Sequence, residues 1–506
     1  MNWKLILRIL GILLFIEAGL MAVCMAVAAL YRESLFPFLW PTLGSVAVGS
    51  ALCFSSRHTP VNMGRKDGYM IVSTAWVMFS LVGMWPFLLS GTLPDAASAF
   101  FETMSGFTST GSTAIDNCDI QPRAILFWRS LTQWIGGIGI IFFTIAILPA
   151  FGIGEVKLFA AESTGPFRNK VHPRISVAAR WIGTVYVLLT LLCALALLLC
   201  GMSLFDAVNH AFTTTATGGF STHSSPLHEA YGSPAVEYVI TLFMLVSGTN
   251  YTLIYYSFLK GHFRHFFQDA ELRCYLGIAA LCTLVCLLTL FIERVDWGSL
   301  DWSGAWPLAC SLELAFRESI FTIISIQTTT GFASCDFTAW PVMLMPVLLF
   351  IMFAGACSGS TSSGFKCVRW SIIWRVVKGE VKRILHPRAF LPVRMNGQVI
   401  STQVIQTQFA YAALFTGAIF GGAFLLACTG VAAEASRTTF DYYEALGIAL
   451  SSVSNVGPGM GYYGPMHSWA ILSPFAKLIC SLLMLIGRLE IFPVLLLFTP
   501  GFWKKS

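Results

Sequence analysis

The sequence predicts an all-α polytopic membrane protein with four pseudo-repeats around one pore, preceded by two extra N-terminal transmembrane helices. Hydrophobic residues make up 56% of the 506 residues and charged residues only 11%, whereas a soluble domain carries roughly 25% charged residues. Apolar runs of the roughly 20 residues that a helix needs to cross a bilayer recur along the chain. In addition, a motif of a hydroxyl residue, two further residues and a glycine occurs four times.

Ten apolar runs are long enough to be transmembrane helices, and four shorter apolar stretches lie between certain pairs of them. The first run follows Lys4 and Arg8 and exceeds the roughly 7–15 apolar residues of a secretory signal, so we expect a retained helix. The predicted spans lie near residues 5–30, 36–54, 69–91, 124–150, 178–202, 235–260, 272–292, 340–376, 404–429 and 467–500.

Each pseudo-repeat is predicted to contain a spanning helix, a pore half-helix, a filter loop and a second spanning helix. The half-helices are amphipathic and too short to span: Asp95–Gly106, Leu204–Thr214, Leu312–Gln327 and Asp441–Val453. Each leads into one filter tract: Thr108-Ser109-Thr110-Gly111, Thr215-Ala216-Thr217-Gly218, Thr328-Thr329-Thr330-Gly331 and Ser454-Asn455-Val456-Gly457. The predicted divisions are the two-helix extension (1–60), repeat 1 (61–170), repeat 2 (171–268), repeat 3 with an intramembrane gating loop (269–395) and repeat 4 (396–506).

The composition of the tracts is typical of a loop that binds a dehydrated cation. Non-helical backbone at membrane depth is tolerated where it lines a water-filled cavity or is buried in protein. Four extended tracts could stack rings of carbonyl oxygens that replace the hydration shell of an ion, and glycine permits the dihedrals this requires. Because the tracts carry no carboxylates, a monovalent ion is favoured over calcium. The alternative is an ordinary extracellular turn, which would need neither a preceding half-helix nor a fourfold register.

Two features interrupt the apolar helices and predict a gate. The eighth span contains a run of small polar residues, 355–366, which cannot hold a firm helix and should form a loop below the third tract. The last span contains Arg488, and a charge at mid-membrane is costly and usually functional. The alternative for Arg488 is a packing role in an ion pair with an acid; Glu490 lies two residues further on. The predicted gate residues are Gly355, Ser358, Gly359, Ser360, Thr361, Gly364, Lys366 and Arg488.

Basic residues cluster in alternate predicted loops and at the C-terminus, with the densest group between 366 and 394. The excess of Lys and Arg on one side predicts that both termini are cytoplasmic and that the tracts face outward. The lipid bilayer is therefore the expected surrounding partner, and the dispersed basic residues argue against a nucleic-acid partner. Most of the 14 cysteines lie in apolar helices; Cys118 and Cys335 could form a disulfide, although nothing in the sequence supports one.

Four motifs carry a family resemblance: Phe127–Gly137 (FWRSLTQWIGG), Thr328–Phe332 (TTTGF), Ser358–Thr361 (SGST) and Met484–Glu490 (MLIGRLE). The chain resembles the Trk/Ktr/HKT superfamily of potassium transporters, most closely its bacterial TrkH-type uptake subunits. The resemblance implies potassium as the substrate ion at the tracts and a gate at the loop and Arg488. It also implies a homodimer in the bacterial cytoplasmic membrane, with a cytoplasmic, nucleotide-binding partner of the TrkA type. The chain itself lacks a nucleotide-binding motif, so no cofactor is expected in it.

Two alternatives stay open at this point. The fourth tract departs from the other three, which leaves room for a sodium-permeable relative. More remotely, Ala356-Cys357-Ser358-Gly359 is similar to the GxSG serine motif of rhomboid-type intramembrane proteases, which need a histidine base at membrane depth. The nine histidines are predicted in loops or at helix edges, so the chain is not expected to be an enzyme.

Overall fold

The computed structural model describes residues 1–56, 64–142, 175–259, 261, 263–294, 305–388, 391–429 and 441–504. Within these ranges the chain is helical except for loops and one short antiparallel hairpin, in which Arg394–Met395 pairs with Gln398–Val399. The part of the predicted fourth span beyond residue 142, the basic loop that follows it and the boundary at 170 lie outside the described residues. The helical architecture agrees with the predicted fold class.

In chain order the α-helices are α1 (Trp3–Leu30), α2 (Phe36–Ser55), α3 (Arg65–Gly83), α4 (Trp85–Ser90), α5 (Ala96–Phe107), α6 (Arg123–Phe142), α7 (Ile175–Leu199), α8 (Leu204–Thr215), α9 (Leu227–Tyr231), α10 (Pro234–Ser247), α11 (Tyr251–Ile254), α12 (Phe263–Gln268), α13 (Ala270–Arg294), α14 (Ala305–Gln327), α15 (Met345–Ala354), α16 (Cys367–Leu385), α17 (Thr402–Thr429), α18 (Tyr442–Ser454), α19 (Pro474–Arg488), α20 (Phe492–Leu497) and α21 (Pro500–Trp503). A π-helical turn, Tyr255–Leu259, follows α11, and short 3₁₀ turns lie at Phe337–Ala339, Val342–Leu344 and Gly461–Tyr463.

Among the described residues, six helices are long and apolar enough to cross a membrane, or seven if one bent pair counts as a span. The bent pair is Pro234–Ser247 with Tyr251–Phe258, whose axes differ by 98°. The bend follows from the sequence between the two halves. Gly248 ends α10, and the Asn250 side chain accepts hydrogen bonds from the Thr252 and Leu253 amides, which starts a new helix.

Three predicted continuous spans are broken in the structure. The segment near 235–260 bends as described, the segment near 340–376 is split between α15 and α16, and the segment near 467–500 is split after Arg488. A hydropathy run therefore overestimates helix continuity wherever small or polar residues occur inside it. The second of these breaks was expected from the small-residue run; the other two were not.

Three short helices, α5, α8 and α18, and the longer helix α14 of 23 residues stand where the half-helices are predicted. A helix of 12 residues, such as α5, is about 18 Å long and cannot cross a hydrocarbon layer of about 30 Å. The N-termini of α5 and α8 are fixed locally, since Asp95 accepts from the Ser98 amide at 2.9 Å and Ser203 accepts from the Asp206 amide at 3.1 Å. The third helix, α14, begins at Ala305 and is longer than its prediction.

The N-terminal helices α1 and α2 form a close antiparallel pair beside this assembly. Glycines allow the close approach: a methyl group on Gly11 would lie 2.9 Å from the carbonyl oxygen of Gly49. Helix α1 also buries Glu17, whose carboxylate has no hydrogen-bond partner in the described part of the chain. A methyl group on Gly83 of α3 would lie 3.2 Å from Oε1 of Glu17, so the acid packs against the first pseudo-repeat.

Candidate functional site

The helices α5, α8, α14 and α18 end in the same backbone turn. At the end of α5, the Ser109 amide donates to the carbonyl of Gly106 (2.9 Å) and the Thr110 amide donates to that of Ser105 (2.8 Å). This pair of bonds is a Schellman motif, which requires a left-handed residue just beyond the helix. The equivalent left-handed residues are Ser109 (φ 51°), Thr217 (φ 51°), Thr329 (φ 56°) and Asn455 (φ 55°). The same two bonds follow the other helices: Thr217 to Thr214 and Gly218 to Thr213, Thr329 to Ile326 and Thr330 to Ser325, Asn455 to Ser452 and Val456 to Ser451.

Glycine would be the ordinary residue at the left-handed position, yet none of the four turns uses it. A side chain with a β-carbon is strained there by roughly 1–3 kcal/mol, and β-branched threonines are the least suited. Strain repeated at one position of four separate turns indicates that the side chains there are required. Ser109 and Thr329, for example, accept hydrogen bonds through these side chains.

The backbone corrects the register of the second tract. Two residues after each left-handed residue stands a glycine that is also left-handed: Gly111 (φ 91°), Gly219 (φ 79°), Gly331 (φ 81°) and Gly457 (φ 110°). The second tract is therefore Ala216-Thr217-Gly218-Gly219, and the predicted alignment of Gly218 is one residue early. The motif could not distinguish two adjacent glycines, because only their dihedrals differ.

The new register changes the residue at the hydroxyl position of the motif in the second tract. The first position of the tracts is occupied by Thr108, Ala216, Thr328 and Ser454, so one of the four has no hydroxyl. Thr108 Oγ1 donates to the Met104 carbonyl at 2.6 Å, one helical turn earlier, and lies 2.7 Å from Thr110 Oγ1. Thr328 repeats this arrangement in the third tract with Ile324 and Thr330. The main contact of these two hydroxyls is therefore with the preceding helix, to which they fix the tract.

The four tracts meet in a closed ring. A methyl group on each left-handed glycine would come within 3.0 Å of a carbonyl oxygen in the next tract: Gly111 with Gly218, Gly219 with Thr330, Gly331 with Val456, and Gly457 with Thr110. The fourth tract therefore returns to the first, and backbone oxygen atoms converge where the tracts adjoin. A β-carbon has no room at these glycines, which explains the residue type independently of the left-handed φ.

An open pocket lies at the far end of the ring, away from the short helices. All four left-handed glycines line it, together with the loops that follow the tracts. A buried ion pair holds two of these loops, since Arg129 Nε and Glu102 Oε1 are 2.8 Å apart. Glu102 also accepts from the Ala114 amide (2.7 Å), and Arg129 donates to the Ser221 carbonyl (3.0 Å).

The rim of this pocket carries polar and titratable groups. His223 lies 2.7 Å from Asp119, and the Ser224 amide donates to the same carboxylate. Partial burial opposes ionisation of Asp119, but the hydrogen bonds from His223 and Ser224 outweigh it and hold the pKa of Asp119 below its ordinary value. Cys118 and Cys335, which could have formed a disulfide, are not bonded to each other.

The small-residue run between α15 and α16 forms a loop against the helix end of the ring. The Ser363 amide donates to Thr329 Oγ1 at 3.0 Å, and Thr361 Oγ1 donates to the Thr215 carbonyl at 3.1 Å. Glu271 of α13 anchors the loop by accepting from the backbone amide of Ser358 (2.5 Å) and from that of Val368 (3.1 Å). The predicted loop therefore contacts the third tract and the end of α8, which leads into the second tract.

Arg488 is 1% exposed and joins the loop to the first tract. Nη1 donates to the Thr361 carbonyl (2.9 Å) and to Ser363 Oγ (3.0 Å). Nη2 donates to Ser109 Oγ (3.3 Å) and to the Gly136 carbonyl of α6 (2.9 Å). The left-handed residues Ser109 and Thr329 thus accept hydrogen bonds from the arginine and the loop, which gives their side chains a role.

The alternative of an ion pair for Arg488 is not what the described residues show. Glu490 instead accepts from Lys366 Nζ (2.5 Å) and Arg369 Nη2 (2.9 Å), and all three side chains are buried. Arg488 donates its hydrogen bonds to neutral oxygen atoms of the loop, the first tract and α6. Lys366, a predicted gate residue, therefore fixes the end of the loop to the segment after α19.

Sequence reasoning missed three residues that organise the site: Gln133, Glu271 and Arg369. Gln133 donates from Nε2 to the Gly218 carbonyl (2.7 Å) and accepts from the Phe220 amide (3.0 Å). A signal for Gln133 exists in the second helices of the repeats, which align on Gly136, Ser247, Gly355 and Gly487. Three residues before these positions the first repeat has Gln133 and the other three have methionine. Glu271 and Arg369 carry no such signal, because their partners are distant in sequence.

Comparisons with known proteins place the chain among bacterial ion transporters. A family model described as "TrkH: Cation transport protein" matches residues 39–505. The Trk system potassium uptake protein TrkH of Escherichia coli K12 is 33% identical and that of Vibrio parahaemolyticus 35%, each over 100% of both chains. The E. coli Trk system potassium uptake protein TrkG is 32% identical over 99% of both chains. The crystal structure of the potassium transporter TrkH from V. parahaemolyticus superposes with a TM-score of 0.87 over 100% of both chains, at 33% identity.

Proposed function

This chain belongs to the TrkH family of cation transport proteins and is a multi-pass membrane protein, and we propose that it takes up potassium through the ring of four tracts. The observation that carries the proposal is the closed ring, in which each left-handed glycine adjoins a carbonyl oxygen of the next tract. Its full-length relatives are named as potassium uptake proteins. Potassium is the transported substrate, and the family consists of transporters rather than enzymes.

Ion binding in the ring would rest on backbone oxygens. Carbonyl groups can replace the hydration shell of a potassium ion, with Thr110, Gly218, Thr330 and Val456 supplying one such group each. The short helices end at the ring, and each C-terminus carries a partial charge of roughly −0.5. These two effects favour a dehydrated monovalent cation without any carboxylate among the tract residues.

The loop between α15 and α16 and the Arg488 guanidinium would close the path on the helix side of the ring. A cation about 4 Å from the guanidinium would be repelled by about 4 kcal/mol at an effective dielectric constant of 20. Flux would then require the loop to move and to release the contacts of Thr361 and Ser363 with Arg488. This gate is the finer part of the proposal.

The cellular setting is also proposed. We expect both termini in the cytoplasm of a bacterium, the pocket facing outward and the loop facing inward, because the basic loops favour that orientation. We also expect a homodimer that binds a cytoplasmic, nucleotide-binding subunit of the TrkA type. The relatives are named as parts of a Trk system, which agrees with a multi-component assembly.

A sodium-permeable transporter is the second candidate, and two tract positions favour it. Ala216 removes one hydroxyl from the first position of the tracts. Val456 and Gly218 occupy the third position, where the other tracts have threonine. A ring with unequal members could hold its oxygens less firmly and discriminate less between ions.

The test is ion flux into proteoliposomes that contain the purified full-length chain. Potassium or rubidium influx above that of protein-free liposomes, and well above sodium influx, is expected. Equal potassium and sodium influx would establish the second candidate. No influx above protein-free liposomes, both for the parent chain and for Arg488→Ala, would contradict transport itself.

The gate has its own test in the same liposomes. Arg488→Ala removes the charge and all four hydrogen bonds, and it should raise potassium flux. Arg488→Lys keeps the charge but cannot reach all four acceptors. It therefore separates electrostatic repulsion of the cation from the hydrogen bonds that join the loop to the first tract and α6. Unchanged flux in both variants would remove Arg488 from the gate and leave the ring proposal standing.

A further inference from the structure

We propose that Gln133 is a positioning residue that fixes the Gly218 carbonyl in the ring and thereby sets the preference for potassium over sodium. This inference rests on the proposed function. Gln133 lies on α6, outside the tracts, and is 0% exposed. Because it lies on α6 rather than in a tract, its effect on an ion would be indirect.

The Gln133 side chain bridges the left-handed glycine of the second tract. Its Nε2 donates to the Gly218 carbonyl at 2.7 Å, and its Oε1 accepts from the Phe220 amide at 3.0 Å. Gly219 lies between these two anchors. A primary amide provides the donor and the acceptor together, which a carboxylate or a thioether does not.

The backbone of Gln133 contacts a second tract as well. Its carbonyl accepts from Ser109 Oγ at 3.2 Å, and Ser109 Oγ also accepts from Arg488. One residue of α6 therefore ties the first tract to the second. Asn455 makes the matching contact in the fourth repeat, donating to the Met484 carbonyl at 3.0 Å. The contact to the backbone carbonyl of the second helix thus occurs in both the first and the fourth repeat. The side-chain contact to a tract carbonyl is made by Gln133 of the first repeat.

The four repeats of this chain provide an internal comparison. Aligned on the second helices, Gln133 corresponds to Met244, Met352 and Met484. At the third position of the tracts, the residue next to Gln133 is glycine. The other three tracts have Thr110, Thr330 and Val456 at this position. The one polar residue in the helix position thus accompanies the one glycine in the tract position.

Steric contact explains this pairing. A methyl group on Gly218 would meet the Gln133 side chain first, with its three nearest atoms within 3.0 Å all from that amide. Gly218 does not have a positive φ, so its backbone conformation does not itself require glycine. The Gln133 amide occupies the space that a side chain on residue 218 would need, and it braces the Gly218 carbonyl by its hydrogen bond.

A brace at this point would matter for selectivity because sodium is smaller than potassium. Oxygens that are held apart cannot close around the smaller ion, whereas a loosely held carbonyl can. Loss of one neutral hydrogen bond corresponds to about a fivefold change in an equilibrium ratio. We therefore expect Gln133→Met to lower the potassium-to-sodium permeability ratio by about fivefold.

The test measures bi-ionic reversal potentials of the full-length protein in planar bilayers. Gln133→Met and Gly218→Thr should each lower the potassium-to-sodium ratio. The double variant recreates the Met–Thr combination of Met244 and Thr330, and it should recover the ratio relative to the worse single variant. Met244→Leu is the matched control at the equivalent helix position and should leave the ratio unchanged.

The outcomes separate this inference from the proposed function. Potassium conductance with an unchanged ratio in Gln133→Met overturns the inference alone, and so does a double variant no better than the worse single one. A parent chain without potassium conductance overturns the proposed function. If Gln133→Met does not yield folded protein, Gln133→Glu serves instead: it keeps the acceptor for Phe220 but loses the donor to Gly218, and an unchanged ratio there also overturns the inference.

Discussion

Individual residues in this protein carry more than one constraint at once. Gly331 must adopt φ 81° and must also leave room for the Val456 carbonyl of the neighbouring tract. Ser109 accepts strain in its backbone and provides an oxygen for Arg488. A substitution at such positions therefore disturbs backbone conformation and packing together, and with them the proposed ion path.

Gly331→Ala should abolish transport, because the added methyl group meets both obstacles. The matched control is Gly277→Ala on α13, where a methyl group would have no atom within 4 Å and the glycine is helical. Rubidium uptake into proteoliposomes measures both variants. Parental uptake in Gly331→Ala would mean that the tracts do not form the path.

Glu490→Gln should destabilise the fold strongly, because it removes the negative partner of two buried cations. Breaking a buried ion pair typically costs about 3–5 kcal/mol. Glu380→Gln removes an acid paired with Arg383 at the exposed end of α16, and exposed pairs contribute about 0–1 kcal/mol. Thermal unfolding in detergent compares the two. Equal midpoints would show that Lys366 and Arg369 do not depend on Glu490.

The limits of sequence reasoning at this scale are illustrated by the second tract. The hydroxyl–x–x–glycine motif located it to within one residue, since threonine and glycine follow a half-helix there. The choice between Gly218 and Gly219 depended on φ, which a pattern of residue types does not contain. The partners of Glu490 were hidden for a different reason: Lys366 is 124 residues away, and no local rule joins them.

At the scale of elements, α5, α8, α18 and the small-residue loop were predictable because length and composition alone make them unable to span. Helix α14 was not, because it begins at Ala305 and has 23 residues. The breaks near Asn250 and after Arg488 were not, because each lies inside a run whose mean hydropathy suits a continuous helix. Capping by one side chain, as at Asn250, decides such a break locally. The pairing of α1 with α2 depends on glycines that hydropathy does not register.

The two acids of the N-terminal extension should respond in opposite ways to neutralisation. Glu17 on α1 is buried without a hydrogen-bond partner among the described residues, so Glu17→Gln should leave thermal stability unchanged or raise it. Glu33 follows α1 and accepts from the Arg123 and Ala124 amides at the start of α6, at 2.7 and 2.9 Å. Glu33→Gln should therefore cost about 0.3–1 kcal/mol through the helix dipole. Unfolding midpoints that fall further for Glu17→Gln than for Glu33→Gln would contradict this assignment.

At the scale of the whole molecule, membrane potential can drive accumulation without a second ion. An inside-negative potential contributes about 2.3 kcal/mol per 100 mV for each monovalent cation that enters. The ring and the loop provide one path along which a cation could move in this way. Nothing in the proposed path requires a coupled proton or sodium ion.

The reversal potential should therefore follow the potassium gradient alone. For one charge per ion it should change by about 59 mV for each tenfold potassium gradient. Changing the proton gradient at constant potassium should not move it. A shift with the proton or sodium gradient would instead indicate coupled transport, and Gly277→Ala protein serves as the folded control in the same bilayers.

One covalent chain supplies all four quarters of the ring, and this has a consequence for its evolution. In a channel assembled from identical subunits, any point change is copied fourfold around the axis. Here each tract has its own sequence, so a change such as Ala216 or Val456 alters one side chain beside the ring and leaves the other three tracts as they were. Ion preference can then change in small steps, through intermediates that still conduct.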